Sequence, residues 1–282
     1  MSTETVLITG CSSGIGRATA TAFLEEGWTV YATARDIDDV EPLGEAGAEL
    51  AALDVTDDDA VERVVDRVVD EQGAVDCLVN NAGFGQLGPV EDVPVDAVEH
   101  QFDVNVYGPH RLVRAVLPHM RAGDGGTVVN VSSVAGRISY PGSGVYCGTK
   151  FALEAMTDAL RVEVAPFDVD AVLVEPGPVD TGFTARAEAE AGGNGDGETD
   201  IDRSGAYEWF YDLLADTAAV GGGGPVAVTP ERVAEDVVDA ASSTKPPARI
   251  PIGLVGRVGV LSRFLPTTVR DAVFSFVRRL AD

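Results

Sequence analysis

Six short apolar runs pace this chain, at 5–9, 28–33, 49–54, 77–80, 127–131 and 170–174. Val, Ile, Leu, Ala and Thr dominate them with little polar alternation, the pattern of strands buried on both faces of a parallel sheet. Parallel neighbours need a crossover connection, usually a helix, and helical stretches separate the runs. The rhythm predicts a single doubly wound α/β domain over residues 1–282, with no solenoid repeat. A run at 248–252 is a candidate seventh strand.

The first run passes into Gly10-Cys11-Ser12-Ser13-Gly14-Ile15-Gly16 and a helical stretch stopped at Gly27. Strand, glycine turn and helix bring backbone N–H groups and a positive helix end to a phosphate. The spacing is G-x-x-x-G-x-G, not G-x-G-x-x-G, and a plain tight turn is the competing reading. The second run ends in Ala34-Arg35-Asp36. At that position an acidic residue suits a ribose 2′-hydroxyl and an Arg suits a 2′-phosphate. Arg35 favours NADP(H), while Asp36, able to neutralise it, leaves NAD(H) open. Asn81-Ala82-Gly83 after the fourth run is a polar turn that closes the same cleft or simply reverses the chain. Asn105 and Pro109 inside the helical stretch 95–120 predict a local distortion that frees a backbone group to hold water.

The fifth run ends at Ser132-Ser133. Tyr146 and Lys150 follow, four residues apart and on one face of a helical stretch. Alone, Y-x-x-x-K reads as a half-buried Tyr beside a solvated Lys. Lysine usage argues otherwise: of 20 Lys plus Arg, only Lys150 and Lys245 are Lys. A free phenol has a pKa of about 10, and an ammonium one helical turn away is expected to pull it down. Such a phenol exchanges a proton with a carbonyl oxygen near neutral pH, and a Ser133 hydroxyl meeting that oxygen would hold the developing charge.

Together, Thr9-Gly10-x-x-x-Gly14-Ile15-Gly16, Asn80-Asn81-Ala82-Gly83, Asn105, Ser133, Tyr146-x-x-x-Lys150 and Pro176-Gly177 occur in an order that resembles the short-chain dehydrogenase/reductase family. The resemblance is strong over 6–181 and loose beyond. It implies a Rossmann fold with a parallel seven-stranded sheet and helices on both faces. It also implies Tyr146 as acid/base, Lys150 on the nicotinamide ribose, Ser133 polarising the carbonyl and Asn105 in a water-linked proton relay. Ser133 is taken over Ser132 because the family spaces its serine thirteen residues before the tyrosine, as 146 − 133 gives here. Cofactor contacts are implied for Gly10, Ser12, Ser13, Gly14, Ile15, Gly16, Arg35, Asp54, Val55, Asn81, Ala82, Gly83, Tyr146, Lys150, Pro176, Gly177, Val179 and Thr181, and no metal is implied. The implied activity is NADP-preferring interconversion of carbonyl and secondary alcohol groups of an apolar substrate, as in members acting on hydroxysteroids and retinoids. A non-catalytic NADP(H)-sensing regulator is the alternative, and the complete Ser133, Tyr146 and Lys150 set argues against it. A P-loop NTPase lacks its Gly-Lys-Ser/Thr, and a serine hydrolase lacks its G-x-S-x-G elbow.

The net charge of −26 argues against nucleic acid or an anionic membrane as the main partner. With acidic residues spread throughout and so little Lys, the surface reads as adapted to high salt, hence a halophilic source. Cys11, Cys77 and Cys147 are too few and too scattered for a disulfide or zinc framework and read as core residues. The opening residues run straight into a strand, and no 18-residue apolar stretch follows. A reduced cytoplasm and no transmembrane segment are the expectation. From 182 to 228 the rhythm breaks into an acidic, glycine-rich insertion with an aromatic helix at 206–214 and a glycine hinge at 221–224. It reads as a lid over an apolar ligand or as a surface excursion. Residues 249–282 carry six Arg against two Asp. Their amphipathic end, 267–280, is expected to dock on the body, to pair in a homo-oligomer or to make peripheral membrane contact.

Overall fold

The computed structural model describes residues 3–181, 203–212 and 226–281, with 276–281 described by backbone alone. Strands β1 (Thr5–Ile8), β2 (Thr29–Ala34), β3 (Glu49–Ala52), β4 (Cys77–Asn80), β5 (Gly126–Val131), β6 (Val169–Pro176) and β7 (Arg249–Ile252) form one sheet. Its order is β3-β2-β1-β4-β5-β6-β7, and every pairing is parallel. The strand order reverses between β1 and β4, and in such sheets the crevice at that switch point is where ligands bind.

The helices are α1 (Gly14–Glu25), α2 (Glu41–Glu45), α3 (Asp58–Gln72), α4 (Val95–Phe102), α5 (Gly108–Ala122), α6 (Gly144–Val164), α7 (Pro230–Ala241), α8 (Gly253–Ser262) and α9 (Thr267–Ala281). They cover both faces, which explains the continuous apolar runs. Val6 and Ile8 point to one face, among Phe23, Val129 and Val237. Leu7 points to the other, among Val64, Leu112 and Val128. The expected Rossmann-like α/β architecture with its seventh strand is present.

Local signals set several boundaries. The Asp57 carboxylate accepts the Ala60 N–H at 3.0 Å and so starts α3. Gly73 ends it at φ 86°. The helical stretch 95–120 is broken as expected: a π-helical turn, Asp103–Tyr107, separates α4 from α5, and Pro109 sits in the first turn of α5, where a missing N–H costs nothing. Two helices were not foreseen. Helix α2 is five residues long, and α8 carries Gly253, Gly256 and Gly259, which mask its helical character.

Within the expected lid insertion, residues 208–212 are helical; 182–202 and 213–225, with the expected hinge at 221–224, lie outside the described residues. The Phe210 ring fills the space over Gly142, where an added Cβ would come within 1.8 Å of it. The Tyr211 hydroxyl donates to Asp92 Oδ2 at 2.9 Å and the Tyr207 hydroxyl to Glu91 Oε2 at 2.5 Å. Leu254, Val258 and Leu261 of α8 and Val269 and Val273 of α9 face outward. Among the described residues no helix is long and apolar enough to cross a membrane.

Candidate active site

The carboxyl ends of β1, β2, β3, β4, β5 and β6 deliver most of the residues singled out by sequence to one edge of the sheet. Gly10 (φ 71°) and Gly14 (φ 55°) take left-handed backbone that side chains disfavour. A Cβ on Gly16 would lie 2.2 Å from the Gly10 carbonyl oxygen and 2.4 Å from Asn81 Nδ2. Ser12 and Ser13 span this turn, and Ser13 has the extended backbone of an N-cap to α1. Gly14, Ile15 and Gly16 form the first turn of that helix, whose N–H groups suit an anion. The glycines thus let this turn pack directly on the Asn81-Ala82 turn and on Thr181, and the helix N-terminus that follows suits the anionic pyrophosphate of a dinucleotide.

Thr9 stitches the next turn to this one. Its hydroxyl accepts the N–H groups of Asn81 and Ala82, each at 3.0 Å. The Asn81 amide donates back to the carbonyls of Thr9 at 2.9 Å and Gly10 at 3.0 Å. Asn81-Ala82-Gly83 is therefore locked against the glycine turn. Thr181 lies over Gly14, where a Cβ would come within 3.2 Å of its methyl group. Val179, just before it, makes a parallel bridge to Val228. The Gly177 N–H donates to the Ile252 carbonyl at 3.0 Å, holding Pro176-Gly177 to the end of β7.

At the β2 end Arg35 is exposed. The Asp36 carboxylate caps the N–H of Asp38 at 3.0 Å, and no ion pair joins it to Arg35 among the described residues. Asp54, after β3, accepts the Thr56 N–H at 2.9 Å and hydroxyl at 2.7 Å. Burial opposes its charge, but those bonds and the nearby Arg35 guanidinium win, holding the carboxyl below its usual range. Val55, next to it, packs against Gly108, where a Cβ would come within 2.8 Å of Val55 Cγ2.

Asn105 sits in the π-helical turn. Its side chain accepts the Phe84 N–H at 3.0 Å and donates to the Phe84 carbonyl at 2.8 Å and to Thr149 Oγ1 at 3.1 Å. It thereby links the β4 turn to α6. The same helix carries Tyr146, 8 % exposed, and Lys150, 6 % exposed. The Lys150 ammonium donates to the Val131 carbonyl at 2.9 Å and stands 5.9 Å from the Tyr146 ring centre.

The two serines part company here. Ser133 hydrogen-bonds the Tyr146 phenol, accepts the Ala135 N–H at 3.1 Å and lies 3.5 Å from the Pro176 carbonyl oxygen. Ser132 turns to the other side, beside Glu154.

The titration of this group differs from what the four-residue spacing suggested. Burial, with Tyr140 close by, pushes the Tyr146 phenol up, and the Ser133 hydrogen bond opposes it only in part. Lys150 does not pull the phenol down here, because its ammonium is turned to the Val131 carbonyl and is itself desolvated. Burial lowers its pKa to about 8, with Glu154 working the other way.

A concavity of about 750 Å³ lies elsewhere, between α4 and α5, lined by His100, Phe102, Tyr107 and Arg111 among others. It holds none of the residues singled out by sequence. What sequence reading missed is non-local: Thr149 as a partner of Asn105, Asp92 and Glu91 as anchors of the aromatic segment, and Arg137, Glu154, Glu175 and Arg249 packed behind Lys150. Only Glu154, four residues beyond Lys150 in the helical run, had a spacing visible in the sequence.

Comparison with known proteins places this geometry. The family described as short chain dehydrogenase matches residues 4–192. Human 17-beta-hydroxysteroid dehydrogenase type 1 is 39 % identical over 263 residues, covering 88 % of this chain and 77 % of its own. The crystal structure of a short-chain dehydrogenase from Streptomyces avermitilis superposes with a TM-score of 0.80 at 34 % identity, covering 100 % of this chain and 99 % of that one. An alcohol dehydrogenase from Thermococcus sibiricus, complexed with 5-hydroxy-NADP, is similar at a TM-score of 0.70 and 25 % identity, over 90 % of this chain and 97 % of its own.

Thr9→Ala should leave the Asn81 and Ala82 N–H groups without their acceptor. A loss of about 1–3 kcal/mol in unfolding free energy is expected by denaturant titration, with Thr9→Ser near wild type. Equal stability of the alanine variant would show that the stitch is not needed.

Proposed function

Because this chain belongs to the short-chain dehydrogenase family, we propose that it is an NADP-preferring oxidoreductase interconverting carbonyl and secondary alcohol groups of an apolar substrate. The family makes it a nicotinamide-dependent oxidoreductase of small molecules; the finer reading rests on this chain's residues. One observation carries it: Tyr146, hydrogen-bonded to Ser133, is buried beside Lys150 at the sheet edge where the glycine turn opens.

The bound nicotinamide supplies the hydride exchanged with the substrate carbon. Tyr146 holds the proton at its phenolic oxygen and exchanges it with the substrate oxygen. Ser133, already in contact with that phenol, donates to the same oxygen as charge develops. Lys150 would hold the ribose beside the reacting ring, and Asn105, fixed by Phe84 and Thr149, would order the water that returns the proton. The turn 10–16 would hold the pyrophosphate, Asp54 and Val55 the adenine side, and Asn81-Ala82-Gly83, Pro176-Gly177, Val179 and Thr181 the remainder.

Arg35 supports NADP(H) over NAD(H). The doubt raised by Asp36 weakens, because that carboxylate is committed to the Asp38 N–H at 3.0 Å. Among the described residues the exposed Arg35 guanidinium makes no hydrogen bond or ion pair and only a longer-range attraction to Asp54, and such a group suits a 2′-phosphate. The aromatic segment around Phe210, docked on Gly142 between Ser133 and Tyr146, supports a lid over an apolar substrate. The human relative is named for hydroxysteroids, and that substrate class fits such a lid. The outward apolar stripe on α8 and α9 supports contact with a second copy, with a membrane surface as the alternative. Cytoplasmic location and a salt-adapted, halophilic origin remain part of this reading, on the grounds of the three unpaired cysteines and the net charge of −26.

A panel of ketones and aldehydes assayed by NADPH oxidation, in low and molar salt, tests the activity; a pure NADP(H) sensor turns none of them over. With a substrate in hand, Tyr146→Phe should cut turnover by about 10²–10⁴-fold and leave NADPH binding nearly intact; retained activity rejects the role. Arg35→Ala should weaken NADPH by about 10-fold or more and NADH far less; an equal loss in fluorescence titrations removes the NADP preference. Molar KCl should raise the thermal unfolding midpoint over low salt, as repulsion among surface carboxylates is screened; no gain would count against a salt-adapted surface.

A further inference from the structure

Asp92 has no part in the proposed chemistry, yet it is a carboxylate only 6 % exposed. A charge so placed is costly unless hydrogen bonds replace its water. Here one distant stretch of chain supplies them. The Tyr211 hydroxyl donates to Asp92 Oδ2 at 2.9 Å and the Ser204 N–H to Oδ1 at 3.3 Å. The Arg203 guanidinium, 4.0 Å from the Tyr211 ring centre, adds its positive charge beside them. Among the described residues, no hydrogen bond to this carboxylate comes from outside 203–211. Glu91, next in the chain, accepts the Tyr207 hydroxyl at 2.5 Å.

Both sides of this docking lead to the site. Asp92 lies in the loop that runs on from Asn81-Ala82-Gly83. In the same loop the Gly88 N–H donates to the Gly142 carbonyl at 2.8 Å. Gly142 lies on the connection from Ser133 to Tyr146. It has φ 76°, and the Phe210 ring occupies the place where its side chain would stand. Phe210 is 8 % exposed and meets Tyr211 edge to face, ring centres 5.5 Å apart. The N–H groups of both residues turn back to the Tyr207 carbonyl, at 2.9 Å and 3.3 Å. The group that Asp92 grips and the ring that covers Gly142 therefore belong to one turn and are placed together.

We propose that Asp92 is a positioning residue of the substrate cleft: by gripping Tyr211 and Ser204 it holds Phe210 over Gly142 as an apolar wall. Phe210 is then a determinant of which apolar substrates fit, and that part rests on the oxidoreductase reading above. A carboxylate suits the task because both its oxygens accept and its charge strengthens each bond. Asparagine keeps the shape but turns one acceptor into a donor. Tyr211→Phe takes away the hydroxyl and leaves a buried oxygen short of a partner.

Amide hydrogen exchange of the full-length protein, read by mass spectrometry over 203–212, tests the grip without substrate. Asp92→Asn and Tyr211→Phe should each speed exchange there by about 10-fold or more. The double variant should exchange no faster than the faster single one, and β4 should exchange as in wild type. Unchanged exchange over 203–212, effects that multiply in the double variant, or equal acceleration in β4 overturns the proposal. If Asp92→Asn does not fold, Tyr211→Phe decides by its own exchange over 203–212 and in β4. With ketones that the panel shows to turn over, Phe210→Ala and Asp92→Asn should raise KM for the bulkiest by about 10-fold. Their kcat should change less than about threefold. An unchanged KM, or a loss confined to kcat, overturns the wall. A panel without turnover rejects the oxidoreductase reading and leaves exchange to decide the grip; unchanged exchange rejects the grip and leaves that reading intact.

Discussion

Lys150 carries an ammonium at 6 % exposure, and the site around it depends on how that charge is kept. An isolated cation in such a place loses several kcal/mol of hydration unless it is paired and hydrogen-bonded. One donation to the Val131 carbonyl at 2.9 Å answers part of this. The same exclusion of water strengthens every contact among Tyr146, Ser133 and Lys150. It moves the two titrating groups in opposite directions, the phenol up and the ammonium down. A phenol held firmly protonated is suited to giving a proton to an oxygen that gains charge.

Position is set by ties between segments distant in the chain. Thr9 joins β1 to the β4 turn, Asn105 joins that turn to α6, and Ser133 joins β5 to the end of β6. None of these is a helix or sheet ladder bond. Each uses a short polar side chain to satisfy buried backbone groups that a turn leaves over. Short side chains have few rotamers, so the ties cost little entropy and tolerate little displacement. The glycines of α8 serve the same end by a different route. A Cβ on Gly177 would come within 2.9 Å of the Gly256 nitrogen, and one on Gly259 within 2.7 Å of Val134 Cγ2. Helix α8 can therefore press directly on the loops that follow β5 and β6.

This explains what could and could not be read from sequence. The strand runs, the glycine turn, the Asp57 cap and the break near Asn105 are legible because their causes are local. The glycines of α8 hid that helix because their reason lies in packing against Gly177 and Val134, not in the helix itself. The spacing of Tyr146 and Lys150 showed that they are neighbours. It did not show the sign of the phenol's shift, which is set by how much water the fold excludes. The charges behind Lys150 were illegible for a plainer reason: Arg249 and Glu154 are 95 residues apart, and Arg249 and Glu175 are 74 apart. Asp36 is the reverse case. Sequence left it as a rival for Arg35, and the structure commits it to a turn two residues on.

Charge use in the chain follows two separate rules. The surface is overwhelmingly acidic and takes its few cations almost wholly as Arg. Beside the site, Arg137 and Arg249 pair with the buried carboxylates Glu154 and Glu175, and Asp158 is shared by Arg249 and Arg161. A guanidinium meets the first need and the structural half of the second, since it stays charged and spans two carboxylates, as Arg249 does. It cannot replace Lys150. That position calls for a compact point charge that fits beneath the Val131 carbonyl and whose pKa burial can bring to about 8, whereas a guanidinium is too broad and too firmly protonated to follow. A chain with only two lysines thus places one of them where the physical chemistry of arginine fails.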